Sequence, residues 1–208
     1  MASPAIPKTP MVLAFDTSSA HCAVAVLVGD RIVAQAQEPM AKGQAERLLV
    51  LCQEMMTQAG VAYSDLTAIG VGIGPGNFTG IRISVSAARG LALGLGIPAI
   101  GISSLEALQY GATAPCACAI DARREQIYVQ IFNGETIQAP ALYGVDQMPV
   151  FDGPLIGHGG QSPARPVAQA IARLTMARQD TTAPRPAPLY LRAADAAPAR
   201  DATPLILP

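Results

Sequence analysis

The sequence predicts an α/β protein of mixed sheets with helices packed on them. Three observations carry that expectation. Three β-patterned segments near the start are joined by tight turns, strand-like and helix-like segments then alternate, and a glycine-rich stretch links a strand to a long uncharged helix. At 208 residues and 50% hydrophobic content, the chain can bury a core in one domain or in two small lobes.

The first expected element is Met11 to Asp16, an apolar run ending in a carboxylate. After the Thr17-Ser18-Ser19 turn, Cys22 to Val28 reads as a second strand. Gly29-Asp30 turns the chain, and Arg31 to Gln37 returns as a third strand of alternating polarity. Gln44 to Ala59 is helical, with Leu48, Leu51, Cys52, Met55, Met56 and Ala59 on one face and Gly60 as its C-cap. Leu66 to Ile73 is an apolar strand, Thr79 to Leu95 a helix ended by Gly96 and Pro98, and Ala99 to Ile102 a short strand. Ser103-Ser104-Leu105-Glu106 opens another helix with a capping-box pattern.

That order, three strands followed by helix-strand-helix-strand, is the ribonuclease H-like unit repeated in actin-like kinases. A second lobe begins with the strand-like segments Cys116 to Ile120, Gln126 to Phe132 and Thr136 to Leu142, and Asp121 echoes Asp16. Ser162 to Arg178 reads as a helix capped at Ser162 with Pro163 at its first position. Thr181 to Pro188 reads as a proline-rich connector, followed by the apolar island Leu189 to Arg192. The expected division is a disordered leader at 1–10, a first lobe at 11–103, a smaller second lobe at 104–192 and a loose tail at 193–208.

Fourteen basic against 15 acidic residues give a net charge of −1, so no global basic field draws in nucleic acid. No apolar run approaches the roughly 20 residues of a membrane span. The first ten residues lack the pattern of a signal peptide, and a cytoplasmic protein is expected. Cys22, Cys52, Cys116 and Cys118 show no Cys-x-x-Cys spacing and read as small buried hydrophobes kept reduced.

The richest stretch is Gly70 to Arg82, GVGIGPGNFTGIR, with five glycines and a proline. Such a turn serves either anion binding at a helix start or close approach of two backbones. Asp16, Thr17 and Ser18 form either a metal- and phosphate-holding corner, with Asp121 across a cleft, or an ordinary side-chain-bonded turn. In the following helix Gly80, Ser84, Ala88, Ala92 and Gly96 recur every fourth residue, with Ser86, Gly90 and Gly94 beside them and a larger row of Ile83, Ala87, Leu91 and Leu95. Glycine inside a helix costs about 1 kcal/mol against alanine, so close approach of another element is expected, from the chain's own sheet or from a second subunit. His21 and His158 are the two histidines, no His-x-x-x-His pair exists, and no metal site is expected. The chain lacks a Gly-x-Ser-x-Gly elbow.

Asp16-Thr17-Ser18, Gln44-Ala45-Glu46-Arg47-Leu48-Leu49, GIGPGNFTGIRI, GLALGLGIPAIGISSLEAL and Ile120-Asp121-Ala122-Arg123-Arg124 occur in one order. In that set the chain resembles the TsaB family of tRNA threonylcarbamoyladenosine biosynthesis proteins, over roughly Val12 to Phe132 and again at Pro188 to Arg192. The segment 133–187 matches poorly. The resemblance implies the actin-like ATPase (ASKHA) fold of two ribonuclease H-like lobes. It further implies a non-catalytic subunit, needed to place threonylcarbamoyl on the adenosine beside the anticodon in tRNAs reading codons that begin with A. The implied partners are the catalytic paralogue TsaD and the ATPase TsaE, with a homodimer when the chain is alone, tRNA met through the complex and no membrane. No cofactor is implied for this chain itself, and ATP belongs to the complex.

The interface implied for the two long helices falls on Leu48, Leu51, Cys52, Met55, Gly80, Ser84, Ala88, Leu91 and Ala92. The metal-binding paralogue carries His-x-x-x-His on its first long helix, where this chain has Gln44, Glu46 and Arg47. The alternative is an actin-like small-molecule kinase, with Asp16 positioning Mg-ATP and Asp121 as base.

Overall fold

The computed structural model describes residues 9–134, 136–179 and 184–192. The expected tail 193–208, and all of the expected leader but Thr9 and Pro10, lie outside the described residues.

The first sheet is built from β1 (Met11–Asp16), β2 (His21–Val28), β3 (Arg31–Pro39), β4 (Ala68–Gly72) and β5 (Ala99–Ile102), in the order β3-β2-β1-β4-β5. β2 runs antiparallel to both of its neighbours, β1 and β3, and β4 and β5 run parallel to β1. This is the ribonuclease H-like arrangement. On one face, Leu13, Phe15, Val24, Val26, Ile69 and Val71 pack against α1 (Gln44–Ala59) and α2 (Phe78–Leu95). On the other, Val12, Ala14, Ala23, Ala25 and Ala68 meet Ala168, Ala170, Ile171 and Ala172 of α4 (Val167–Arg178). Coverage on both faces explains why β1 and β2 read as unbroken apolar runs, whereas the edge strand β3 alternates.

The seat of α4 is close because it is made of small residues. A Cβ added to Gly70 would lie 2.3 Å from Thr175 Oγ1 and 3.1 Å from Ile171 Cγ2. α4 falls inside the span expected for the second lobe, yet its apolar face completes the first sheet. It begins at Val167 rather than Ser162. A helix from Pro163 would place Pro166 where the first intrahelical N–H is required, and proline has none.

The second sheet joins β6 (Cys116–Arg123), β7 (Gln126–Asn133), β8 (Thr136–Ile137), β9 (Ala141–Gly144) and β10 (Leu155–Gly157). β6 and β7 form its central hairpin, β10 runs parallel to β6, and β8 and β9 both pair with β7. The single strand expected from Thr136 to Leu142 is therefore two, on either side of Pro140, which has no N–H to give a ladder. β10 carried no sequence expectation, since its three residues are too few to show a period. α3 (Ser104–Gln109) packs Leu105 onto Cys116, Cys118, Tyr128, Phe132 and Ile156. Ser103 caps α3 by accepting from Leu105 N at 3.2 Å.

All four cysteines are buried and free. Burial pushes the Cys22 thiol up to about 11 and Cys118 to about 12, and raises Cys52 and Cys116 as well.

Candidate functional site

Two regions draw together the residues singled out from the sequence: the corner at the end of β1 and the pair of helices α1 and α2. At the corner, Asp16 is 1% exposed and its Oδ2 accepts from Ser18 N at 3.1 Å and Ser18 Oγ at 3.0 Å. The same oxygen lies 2.7 Å from His21 Nε2. Asp16 Oδ1 is buried without a hydrogen-bond partner and faces Gly72, where an added Cβ would come within 1.9 Å of it. Thr17 Oγ1 donates to Gly80 O at 2.6 Å, and Asn77 N donates to Ser18 O at 2.6 Å.

The glycine-rich turn thus lies directly on this corner. A Cβ at Gly76 would fall 2.2 Å from Ser18 O, and one at Gly80 would fall 1.9 Å from Thr17 O. Of the two expected uses of the turn, close backbone approach is the one the geometry displays. Asn77 caps α2 by accepting from Gly80 N at 2.9 Å.

Gln44, at the start of α1, closes the corner from its other side. Its amide donates to Ser19 O at 2.8 Å, His21 O at 3.0 Å and Thr17 O at 3.5 Å. The Asp16–His21 contact had no place in the sequence reading. The available signal was a carboxylate closing one strand five residues before an imidazole opening its antiparallel neighbour.

A cavity of about 810 Å³ opens between the lobes. Ser18, Asn77, Asp121, Arg123, Tyr128 and Tyr190 are among its lining residues, whereas Asp16 and Thr17 are not. Asp16 and Thr17 were expected to face the cleft. They are buried beneath it, because their polar atoms are turned into the corner. Asp121 does reach the cavity, and its Oδ1 accepts from Arg123 N at 2.8 Å. Among the described residues, no group of three or more His, Cys, Asp or Glu is placed to hold a metal ion.

The helices require a larger correction. Leu48, Leu51, Cys52 and Met55 of α1, and Gly80, Ser84, Ala88 and Ala92 of α2, are buried within the lobe, with Leu91 partly so. The small-residue stripe faces the chain's own sheet: Ser84 Oγ donates to Gly72 O at 3.1 Å. All but Leu91 are core, and a partner cannot touch those eight without unpacking the sheet.

The outward side of the same helices is a different surface. It exposes Leu49 (50%), Val50 (51%) and Leu93 (82%). Ser86, Gly90 and Gly94 are exposed beside Leu93. Among the described residues nothing lies within 4 Å of a Cβ added at Gly90 or Gly94, so none of them occupies the space those glycines leave. At the margin, Arg47 joins Glu38 and Glu54, with its Nη2 2.6 Å from a carboxylate oxygen of each. Those hydrogen bonds hold both carboxyl groups below the usual range.

Residues 34–196 match the family model described as TsaD, tRNA N6-adenosine threonylcarbamoyltransferase. The chain is 38% identical over 122 residues to the tRNA threonylcarbamoyladenosine biosynthesis protein TsaB of Escherichia coli, an alignment covering 56% of this chain and 52% of that protein. To TsaB of Bacillus subtilis it is 34% identical over 128 residues, 59% of this chain and 55% of that one. The chain spans about half the length of the curated TsaB relatives it matches. An uncharacterized protein of Mycobacterium tuberculosis is 32% identical over 187 residues, covering 83% of this chain and 84% of that protein. The solved structure of YeaZ from Pseudomonas aeruginosa superposes with a TM-score of 0.70 at 29% identity, over 88% of this chain and 100% of that one.

Proposed function

Because this chain belongs to the TsaD, tRNA N6-adenosine threonylcarbamoyltransferase, family and its curated relatives include TsaB proteins, we propose that it is a non-catalytic subunit of a tRNA-modifying complex. The complex places threonylcarbamoyl on the adenosine next to the anticodon in tRNAs reading codons that begin with A. This chain docks on a TsaD-like catalytic paralogue through the outward side of α1 and α2. A TsaE-like ATPase joins the pair, tRNA is met through the complex, and the same face pairs two copies when the paralogue is absent. The setting is cytoplasmic.

The outward face of α2 carries the reading. Gly90 and Gly94 each cost a helix about 1 kcal/mol, and no contact among the described residues offsets it. Beside them Leu93 stands 82% exposed, a large apolar side chain on a surface where another helix can approach closely. Gln44 supports the non-catalytic part. At the head of α1, where the metal-binding paralogue's helix begins, its amide is committed to the carbonyls of Ser19 and His21.

The kinase alternative asks Asp16 to position a metal–nucleotide complex. Asp16 instead takes its hydrogen bonds from Ser18 and His21 and does not line the cavity. The docking subunit is the better reading.

The test is binding of purified chain to its TsaD-family partner. Leu93→Glu and Gly90→Leu change only exposed positions, so Leu93→Glu should leave thermal stability near wild type, Gly90→Leu should keep or raise it, and each should weaken the pair at least about tenfold, the effect of losing 1.4 kcal/mol. Wild-type affinity in both variants rejects this face.

A further inference from the structure

The segment from Pro186 to Arg192 crosses from the first lobe to the second along the cleft. Pro186 is buried, 3.2 Å from where a Cβ on Gly101 of β5 would stand. Leu189 N donates to Ile73 O at 2.8 Å, which ties the segment to the end of β4. The Tyr190 ring stacks on Phe78, with centroids 5.0 Å apart. The Arg82 guanidinium lies 3.9 Å above the Phe78 ring, and its Nε donates to Tyr190 Oη at 2.8 Å. Leu191 then packs on the core of the second lobe, and Arg192 Nη2 donates to Gln126 Oε1 on β7. Leu189 to Arg192 also line the cavity, together with Ser18, Gln44 and Asp121.

We infer that Pro186–Arg192 is a clasp that holds the two lobes at a fixed opening. One end is anchored on the first sheet by Pro186 and Leu189, the middle is gripped by the first two turns of α2, and the far end is anchored on the second lobe. Seven residues make both attachments, so relative motion of the lobes has to break one of them. Tyr190 is a light grip: its ring is partly exposed and held by the Phe78 stack, the Arg82 hydrogen bond and the guanidinium 5.9 Å from its centroid. An aromatic stack of this kind contributes about 0.5–1.5 kcal/mol, small enough to be released without unfolding either sheet. The clasp is independent of the docking proposal, since it concerns the chain alone.

Spin labels at Gln58→Cys on α1 and Gln138→Cys beside β8 report the spacing of the lobes in the full chain. All four native cysteines are buried, so labelling goes to the two introduced sites. Wild type and Tyr190→Phe, which keeps the stack, should give one narrow distance distribution. Tyr190→Ala and the double variant Leu191→Ala/Arg192→Ala should each widen it about twofold, as expected for released hinge motion. An unchanged width in the folded double variant Leu191→Ala/Arg192→Ala, which removes both second-lobe contacts, overturns the inference, and so does an unchanged width in a folded Tyr190→Ala.

Discussion

Gly80 and Gly90 are the same residue type in one helix and answer to opposite constraints. At Gly80 a side chain has nowhere to go, because a Cβ would lie 1.9 Å from the backbone oxygen of Thr17. Gly80→Ala should therefore force the glycine-rich turn off the β1 corner and lower stability by about 1–3 kcal/mol in urea unfolding. At Gly90 the space is open, so Gly90→Ala should raise stability by up to about 1 kcal/mol in the same assay. The sequence showed both glycines in one periodic surface. It did not show which faced inward, because small residues fit a tight internal contact and a tight external one equally well. The cysteines were easier to read: short, apolar and scattered through strand and helix patterns. With burial raising every thiol, alkylation of native protein at pH 8 should be negligible and become complete in denaturant, as mass spectrometry would record.

The helices α1 and α2 were placed well because their ends carry local signals: Gly60 and Gly96 in left-handed C-caps, and Asn77 bonded to Gly80 N. Their burial was misjudged for a physical reason. The inner row of α2 is as small as its outer row, so hydrophobicity cannot rank the two, and the sheet took the row containing Ser84 and Ala88. The start of α4 was set too early because the Ser162-Pro163 cap signal was weighed without the later Pro166. Across the α1–β3 margin, Glu38 and Glu54 have folded-state pKa values below their unfolded ones, each chiefly through its hydrogen bond to Arg47. Their contribution is thus fully present above the unfolded carboxylate pKa and is lost as pH falls through the lowered folded values. Thermal melts of wild type and Arg47→Met should differ at pH 7 and converge as the solution is acidified below the carboxylate range. Both carboxylates are well exposed, so the difference at pH 7 should be small and should shrink in high salt.

At the scale of the molecule, the order of elements was legible from β1 to α3 because each step is local: a hairpin turn, a cap, a switch of hydrophobic period. The return of α4 onto the first sheet was not, since no local pattern says which of two sheets an apolar helix will cover. The alanines of β1, β2 and α4 hold the only trace of it, matched small surfaces far apart in the chain. Removing residues 162–208 should strip that cover from Val12, Ala14, Ala23 and Ala25 and leave little soluble, cooperatively melting protein, even though all five strands of the first sheet remain. That long-range closure shapes how the polypeptide comes into being. While a ribosome is still extruding the second half, the five-stranded sheet already made has one greasy side open to the cell, and it stays so until Val167–Arg178 clears the exit tunnel. Completion of the early portion's core is thereby deferred until α4 has emerged, and the interval in between is the period in which a chaperone has the most to shield.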